Sequence, residues 1–155
     1  MLKRIIFILI ALLVLIQVIR PDKITTTDTS GDVTVLYTTP NDVKSILKTA
    51  CYDCHSNEPV YPWYFNVQPA GWWLQSHIDE GRHHLNFSAF NTYEAKKADH
   101  KMEEVIEVIQ QNEMPLSSYT LLHKDAKLSE TDKQKIIEWA KSVRLKIRAG
   151  AAIAP

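Results

Sequence analysis

Cysteine is scarce in this chain: two residues of 155, only three positions apart, at Cys51 and Cys54. Two thiols cannot build the multi-bridge framework by which small exported domains make up for a thin core. A disulfide between them would close a very tight loop and restrict the unfolded chain little. A second cysteine pair at finger or ribbon spacing is missing, which removes the commonest layout of structural zinc. Charge of one sign is missing too. Lysine plus arginine and aspartate plus glutamate each number 18, and from residue 39 onward the balance is 14 − 15 = −1. A nucleic-acid footprint would be strongly basic, so that class is set aside. There is no internal repeat and no persuasive sheet pattern, and the ~115 residues beyond the N-terminal region suit one compact domain.

What is present is more specific. Residues 51–55 read Cys51-Tyr52-Asp53-Cys54-His55, the C-x-x-C-H signature of covalent haem attachment. Each thiol adds across one of two vinyl groups on a single porphyrin edge, so the sulfurs must lie a fixed distance apart. The histidine directly after then falls beneath the iron and offers an axial nitrogen. With 6 histidines in 155 residues, one follows a given Cys-x-x-Cys by chance only about four times in a hundred, so the match is specific. No second such motif occurs. A thioredoxin-like use of Cys-x-x-Cys needs a strand–helix alternation that does not flank it. A zinc site would have to combine Cys51, Cys54 and His55 with one of His77, His83 or His84.

The chain opens Met1-Leu2-Lys3-Arg4 and continues into an apolar run from Ile5 to Ile19, interrupted only by Gln17. A charged start before an apolar stretch reads as an export signal or a membrane anchor. No Ala-x-Ala-like site follows, so the expectation is an uncleaved transmembrane helix over 1–20 with Lys3 and Arg4 inside and flanking cations snorkelling. That places the chain in a bacterial inner membrane as a single-pass protein, with its soluble domain in the periplasm, where haem is attached to exported chains. A polar linker would cover 21–39, the haem-binding domain 40–148 and a tail 149–155. Within the linker, the alternation of Val33, Val35 and Tyr37 suggests a short extended segment.

Four helices are expected in the domain. The first starts after Pro40 with Asn41 as cap, carries Val43, Ile46 and Leu47 on one face, and runs into Cys51. The aromatic stretch 58–69 is punctuated by prolines and cannot be a helix throughout. It could wall off an apolar prosthetic group, with Trp63, Trp72 and Trp73 as haem-packing residues. A second helix covers Ala70 to about His84 with His77 on its apolar stripe, where a histidine is more often a core residue than a ligand. A third covers about Thr92–Asn112, with Thr92 as cap, Met102, Val105, Ile106 and Ile109 on one stripe and Glu103, Glu104 and Glu107 on a solvated face. The last begins at Ser129, with Asp132 completing a variant capping box, and buries Ile136, Ile137, Trp139, Ala140, Val143 and Ile147. The cations Lys141, Arg144, Lys146 and Arg148 near its end suit the helix dipole.

An iron held by one histidine has a sixth position to fill. Met102 belongs to the packing stripe of its helix. Met114 lies just past a helix end and before Pro115, which steers it away from helical conformation and onto a stiff loop. Met114 is therefore the expected distal axial ligand. A thioether there raises the reduction potential relative to a second imidazole and closes the iron to external ligands. Without it, His77, His83, His84, His100 and His123, or an open position, remain.

Several segments carry a resemblance. Cys51-Tyr52-Asp53-Cys54-His55-Ser56-Asn57, Tyr61-Pro62-Trp63-Tyr64, Gly81-Arg82, His84-Leu85-Asn86-Phe87-Ser88, Glu113-Met114-Pro115 and Leu128-Ser129 resemble the bacterial haem-binding-domain family of cytochrome c-like proteins, over about residues 40–145. The resemblance implies thioethers at Cys51 and Cys54, His55 as proximal ligand and Met114 as distal ligand. It also implies first and last domain helices that pack together. The expectation is thus an all-α, cytochrome c-like domain around one covalent haem c, relaying single electrons between redox partner proteins in the periplasm or membrane. It would be an electron carrier, with no catalytic residue assigned. Two rivals stand beside it: a five-coordinate haem that reduces peroxide or senses a gas or redox state, and a zinc-stabilised interaction module.

Overall fold

A computed structural model describes residues 1–26 and 28–150; Thr27 of the expected linker and 151–155 of the expected tail lie outside the described residues. Among the described residues the chain forms eight α-helices and no strand. They are α1 (Leu2–Ile16), α2 (Val33–Leu36), α3 (Asn41–Ala50), α4 (Tyr52–His55), α5 (Ala70–His84), α6 (Ala95–Gln110), α7 (Ser117–Leu122) and α8 (Glu130–Arg148). Single 3-10 turns at Trp63–Asn66, Phe90–Thr92 and Lys124–Ala126 join them.

The expected membrane anchor is not supported. Helix α1 has 15 residues, about 22 Å at 1.5 Å per residue, short of a bilayer core of about 30 Å. Among the described residues no helix is long and apolar enough to cross a membrane. The reading of a transmembrane helix over 1–20, and with it a single-pass inner-membrane location, is therefore corrected. At the helix end Gln17 is still right-handed helical, and its side chain makes a reciprocal amide pair: its Nε2 donates to the Gln68 carbonyl at 3.0 Å, and its Oε1 accepts from Gln68 N at 2.9 Å. The Ile19 carbonyl then accepts from the Trp72 indole at 2.8 Å. The last turn tightens to i→i+3 bonds at Gln17, Val18 and Ile19, and the bonds to Gln68 and Trp72 tie this end to the region where α5 begins.

The expected extended segment at 33–37 is a helical turn instead. Asp32 caps α2 by accepting from Thr34 N at 2.8 Å. That turn puts Val33 and Leu36, three apart, into the core, while Val35 is left exposed. A period of three outweighs the weak alternation because the cap satisfies the Thr34 amide and Val33 N donates to the Phe87 carbonyl at 3.0 Å.

The main core lies between α3, α6 and α8. Helix α8 packs along α6 and also against α3, with Leu47, Met102, Ile136, Trp139 and Val143 at its centre. The packing of the first and last domain helices thus stands. Trp139 crosses 100 residues of sequence to donate from its indole to the Thr39 hydroxyl at 3.0 Å. Ser129 and Asp132 form the reciprocal capping box, with Asp132 N donating to Ser129 Oγ at 3.1 Å and Ser129 N to Asp132 Oδ2 at 3.1 Å. Helix α5 runs over the expected residues. Two caps differ: the position before α3 is Pro40, with Asn41 already helical, and α6 starts at Ala95 after Glu94 rather than at Thr92. Thr92 belongs to the preceding turn and donates its hydroxyl to the Ala89 carbonyl at 2.7 Å.

The charges of α6 and α8 are not left to the helix dipole and solvent. Arg144 donates to Asp99 at 3.0 Å and to Glu103 at 2.8 Å, and Arg148 donates to Asp99 at 2.9 Å. Glu103 is thus part of an inter-helix network rather than of a solvated face.

Candidate functional site

A second, smaller apolar cluster forms around Phe65, Leu74 and Ile78, beneath the start of α5. The cysteine motif joins the two clusters: Cys51 packs against the main core and Cys54 against the smaller one. Both cysteines border a cavity of about 630 Å³, a size typical of small-molecule and cofactor sites.

The motif reaches the cavity through a change of helix direction. Helix α3 ends as Cys51 N donates to the Leu47 carbonyl at 2.9 Å. The single turn α4 then starts anew, with Cys54 N and His55 N both donating to the Cys51 carbonyl, at 3.2 and 2.9 Å. One turn of helix brings residues three and four apart onto one side. Cys51, Cys54 and His55 accordingly all line the cavity, and both cysteines carry free thiols. Burial first, and the neighbouring Cys54, push the Cys51 thiol up to about 12. Burial first, and then the Asp53 charge, push Cys54 up to about 11. Both are therefore neutral thiols at pH 7.

His55 is oriented from behind. Its Nδ1 lies 3.0 Å from the Leu85 carbonyl oxygen, which can only accept. That places the proton on Nδ1 and leaves Nε2 with a free lone pair. Burial, above all, lowers the imidazole below its usual range and keeps the ring neutral. The Leu85–Ser88 segment is fixed in turn. Phe87 N donates to the His55 carbonyl at 2.8 Å, and the Phe87 ring stacks on Tyr52 at 5.6 Å. Asn57 Oδ1 accepts from both Arg82 (2.8 Å) and Asn86 (2.9 Å), and Asn57 N donates to the Ser88 hydroxyl at 3.1 Å. Gly81 lets α5 come this close: a Cβ there would sit 2.6 Å from the Cys54 carbonyl oxygen and 3.1 Å from Cys54 Cβ.

Met114 lines the same cavity. It is delivered by the way α6 ends. Asn112 adopts φ 59°, Glu113 N donates to the Val108 carbonyl at 2.9 Å and Asn112 N to the Ile109 carbonyl at 3.3 Å. This is the Schellman pattern, with asparagine in the left-handed position usually held by glycine. The chain reverses there, and Met114 follows immediately.

The remaining wall is largely apolar, with Leu47, Val105, Ile109, Leu116 and Ile136. Polar groups appear among the lining as His77, Glu80, His84, Lys101, Glu104 and Glu107. Glu104 and Glu107 border the cavity while keeping solvent access, Glu107 being exposed, as a solvated face implies; Lys101 pairs with Glu104 at 2.7 Å. Trp63, Trp72 and Trp73 do not line it. Trp63 is 79% and Trp73 47% exposed, and Trp72 is spent on the Ile19 carbonyl. Among the described residues no group of three or more His, Cys, Asp or Glu is arranged to hold a metal ion, so Cys51, Cys54 and His55 do not converge with His77, His83 or His84 on a zinc geometry.

No local sequence pattern singles out Asp53, between the cysteines, or Tyr119. Asp53 accepts from Val60 N at 2.9 Å and from the Tyr119 hydroxyl at 2.6 Å. Only the presence of a carboxylate inside the motif hinted at a partner, and its partner is 66 residues away. The lining fits a haem: an apolar slot with two neutral thiols and a neutral, fixed imidazole at one part of its wall and a thioether at another.

A family model described as a haem-binding domain matches residues 11–142. No curated protein and no solved structure matches the chain. The match spans well over half of the 155 residues, and the chain belongs to the haem-binding domain family.

Proposed function

We propose that this member of the haem-binding domain family carries one haem, attached through Cys51 and Cys54 and ligated by His55 and Met114, and that it relays single electrons between redox partner proteins. What supports the reading is that these four side chains, spread over 64 positions of sequence, line one apolar cavity. Cys51 and Cys54 would hold the haem as thioethers: each neutral thiol would add its S–H across one vinyl group, sulfur to one carbon and hydrogen to the other, with nothing oxidised. A bound haem supplies a one-electron iron couple. His55 offers Nε2 because the Leu85 carbonyl holds the proton on Nδ1. Met114 offers a soft sulfur, which favours the reduced metal and raises the potential. The largely apolar part of the wall would limit reorganisation around a change of one charge.

The test is the absorption spectrum of the matured protein beside Met114→Ala, with intact mass measured on both. The reading expects the mass of one haem on each chain, a weak long-wavelength sulfur-to-iron band in the ferric wild type, and its loss in Met114→Ala. A mass equal to the bare polypeptide removes covalent attachment. Ready binding of carbon monoxide by the ferrous wild type removes the closed iron and favours a five-coordinate sensor or peroxidase-like centre.

A further inference from the structure

We propose that α7 is a latch on the Met114 side of the cavity, and that Tyr119 is the residue that positions Met114 by closing this latch onto the cysteine turn. The inference rests on the assignment of Met114 as an iron ligand.

Met114 sits in the connection between α6 and α7. Its α6 end is anchored by the Schellman bonds. Its other end is not anchored by burial. Helix α7 has six residues and none is buried; Leu121 and Leu122 are 74% and 64% exposed. A segment with so little apolar burial opens easily unless something specific holds it. Two side-chain hydrogen bonds do so. The Tyr119 hydroxyl donates to Asp53 Oδ2 at 2.6 Å. Tyr64 Oη and His123 Nε2 lie 2.8 Å apart. The Tyr119 ring stacks flat on His123, with centroids 4.3 Å apart and planes 8° from parallel, so the two clasps form one unit.

The far ends of these clasps are what give the arrangement its meaning. Asp53 lies between Cys51 and Cys54, and its other oxygen is held by Val60 N at 2.9 Å. The Tyr119 bond therefore joins the stretch that carries Met114 to the turn that carries the thiols and His55. Tyr119 and Met114 line the same cavity. The bond is to a carboxylate and is short, which places it among the stronger hydrogen bonds. Removing the hydroxyl lets the 113–123 stretch lift more often, and each lift takes the Met114 sulfur from the iron and admits outside ligands.

The experiment uses the haem-loaded protein. The rate at which imidazole binds the ferric form is measured in wild type, Tyr119→Phe, Tyr64→Phe and Ile147→Val. Ile147 is buried near the end of α8, and its truncation provides a destabilised comparison that leaves both clasps intact. The latch predicts a rate about tenfold to a hundredfold higher in Tyr119→Phe, a smaller rise in Tyr64→Phe, and little change in Ile147→Val. Tyr64→Phe serves alone if Tyr119→Phe fails to take up haem. A wild-type rate in whichever clasp variant loads overturns the proposal. So does an equal rise in Ile147→Val, because the effect would then be general loosening. If Met114→Ala leaves the wild-type spectrum unchanged, the ligand assignment itself has failed and the proposal that Tyr119 positions Met114 falls with it.

Discussion

His55 and Leu85 are 30 residues apart, and the backbone oxygen of one orients the ring of the other at 3.0 Å. The acceptor is a main-chain carbonyl, so no substitution at position 85 removes it directly. Its support is reachable through Phe87, which is 2% exposed, stacks on Tyr52 and returns an amide bond to the His55 carbonyl. Phe87→Ala is expected to cost about 3–5 kcal/mol of folding stability. Urea denaturation measures this; a loss under ~1 kcal/mol would mean that the 85–88 segment is held without the ring.

Gly81→Ala should be more damaging than its size suggests. The added methyl meets the Cys54 carbonyl oxygen at 2.6 Å, and backbone cannot swing aside as a flexible side chain would. Helix α5 must move away from the cysteine turn. A destabilisation of about 1–3 kcal/mol is expected, although alanine is the better helix former. The ratio of haem to protein should fall with it. An unchanged melting temperature and full haem content would show that α5 has freedom to shift.

Tyr52→Phe isolates a buried carboxylate. Asp32 is only 3% exposed and accepts the Tyr52 hydroxyl at 2.8 Å, with Thr34 N and the Thr34 hydroxyl as its other donors. Burial, chiefly, and the Asp32 charge push the Tyr52 hydroxyl above its usual range, so it is a donor at every physiological pH. Losing it leaves part of a buried charge unsatisfied, at a cost of about 1–3 kcal/mol. The comparison is between chemical denaturation of wild type and variant; equal midpoints would mean that Thr34 alone suffices.

The α6–α8 seam predicts a pH dependence. Hydrogen bonds from Arg144 and then Arg148 lower the Asp99 carboxyl from 3.8 to about 2. A carboxyl lowered on folding stabilises the native state above its unfolded value and loses that contribution as pH falls through its folded value. The window is therefore about pH 4 down to about pH 2. Arg148 is 59% exposed, so solvent screening holds the contribution to about 1 kcal/mol. Asp99→Asn should unfold more easily than wild type at pH 6, with the gap closing as pH falls through about 2. A constant gap across that range would assign the difference to packing.

Local chemistry was readable in the sequence wherever the partners were a helical turn apart. The Cys51, Cys54 and His55 cluster, the Ser129–Asp132 box and the span of α5 depend on contacts three or four residues away, and periodicity and cap residues encode those. Met114 could be singled out by Pro115 beside it, but only the reversal at Asn112 brings it to the cavity. Everything that needed a distant partner was decided by the tertiary structure. The Gln17 side chain finds its partner in Gln68, Trp63 and Trp73 turn outward, and Glu104 borders the cavity. Leu85 and Asp53 acquire their roles from His55 and Tyr119. Those pairings are between residues 30 to 66 positions apart. No local propensity specifies which distant donor meets which acceptor; only the packing of the helices does.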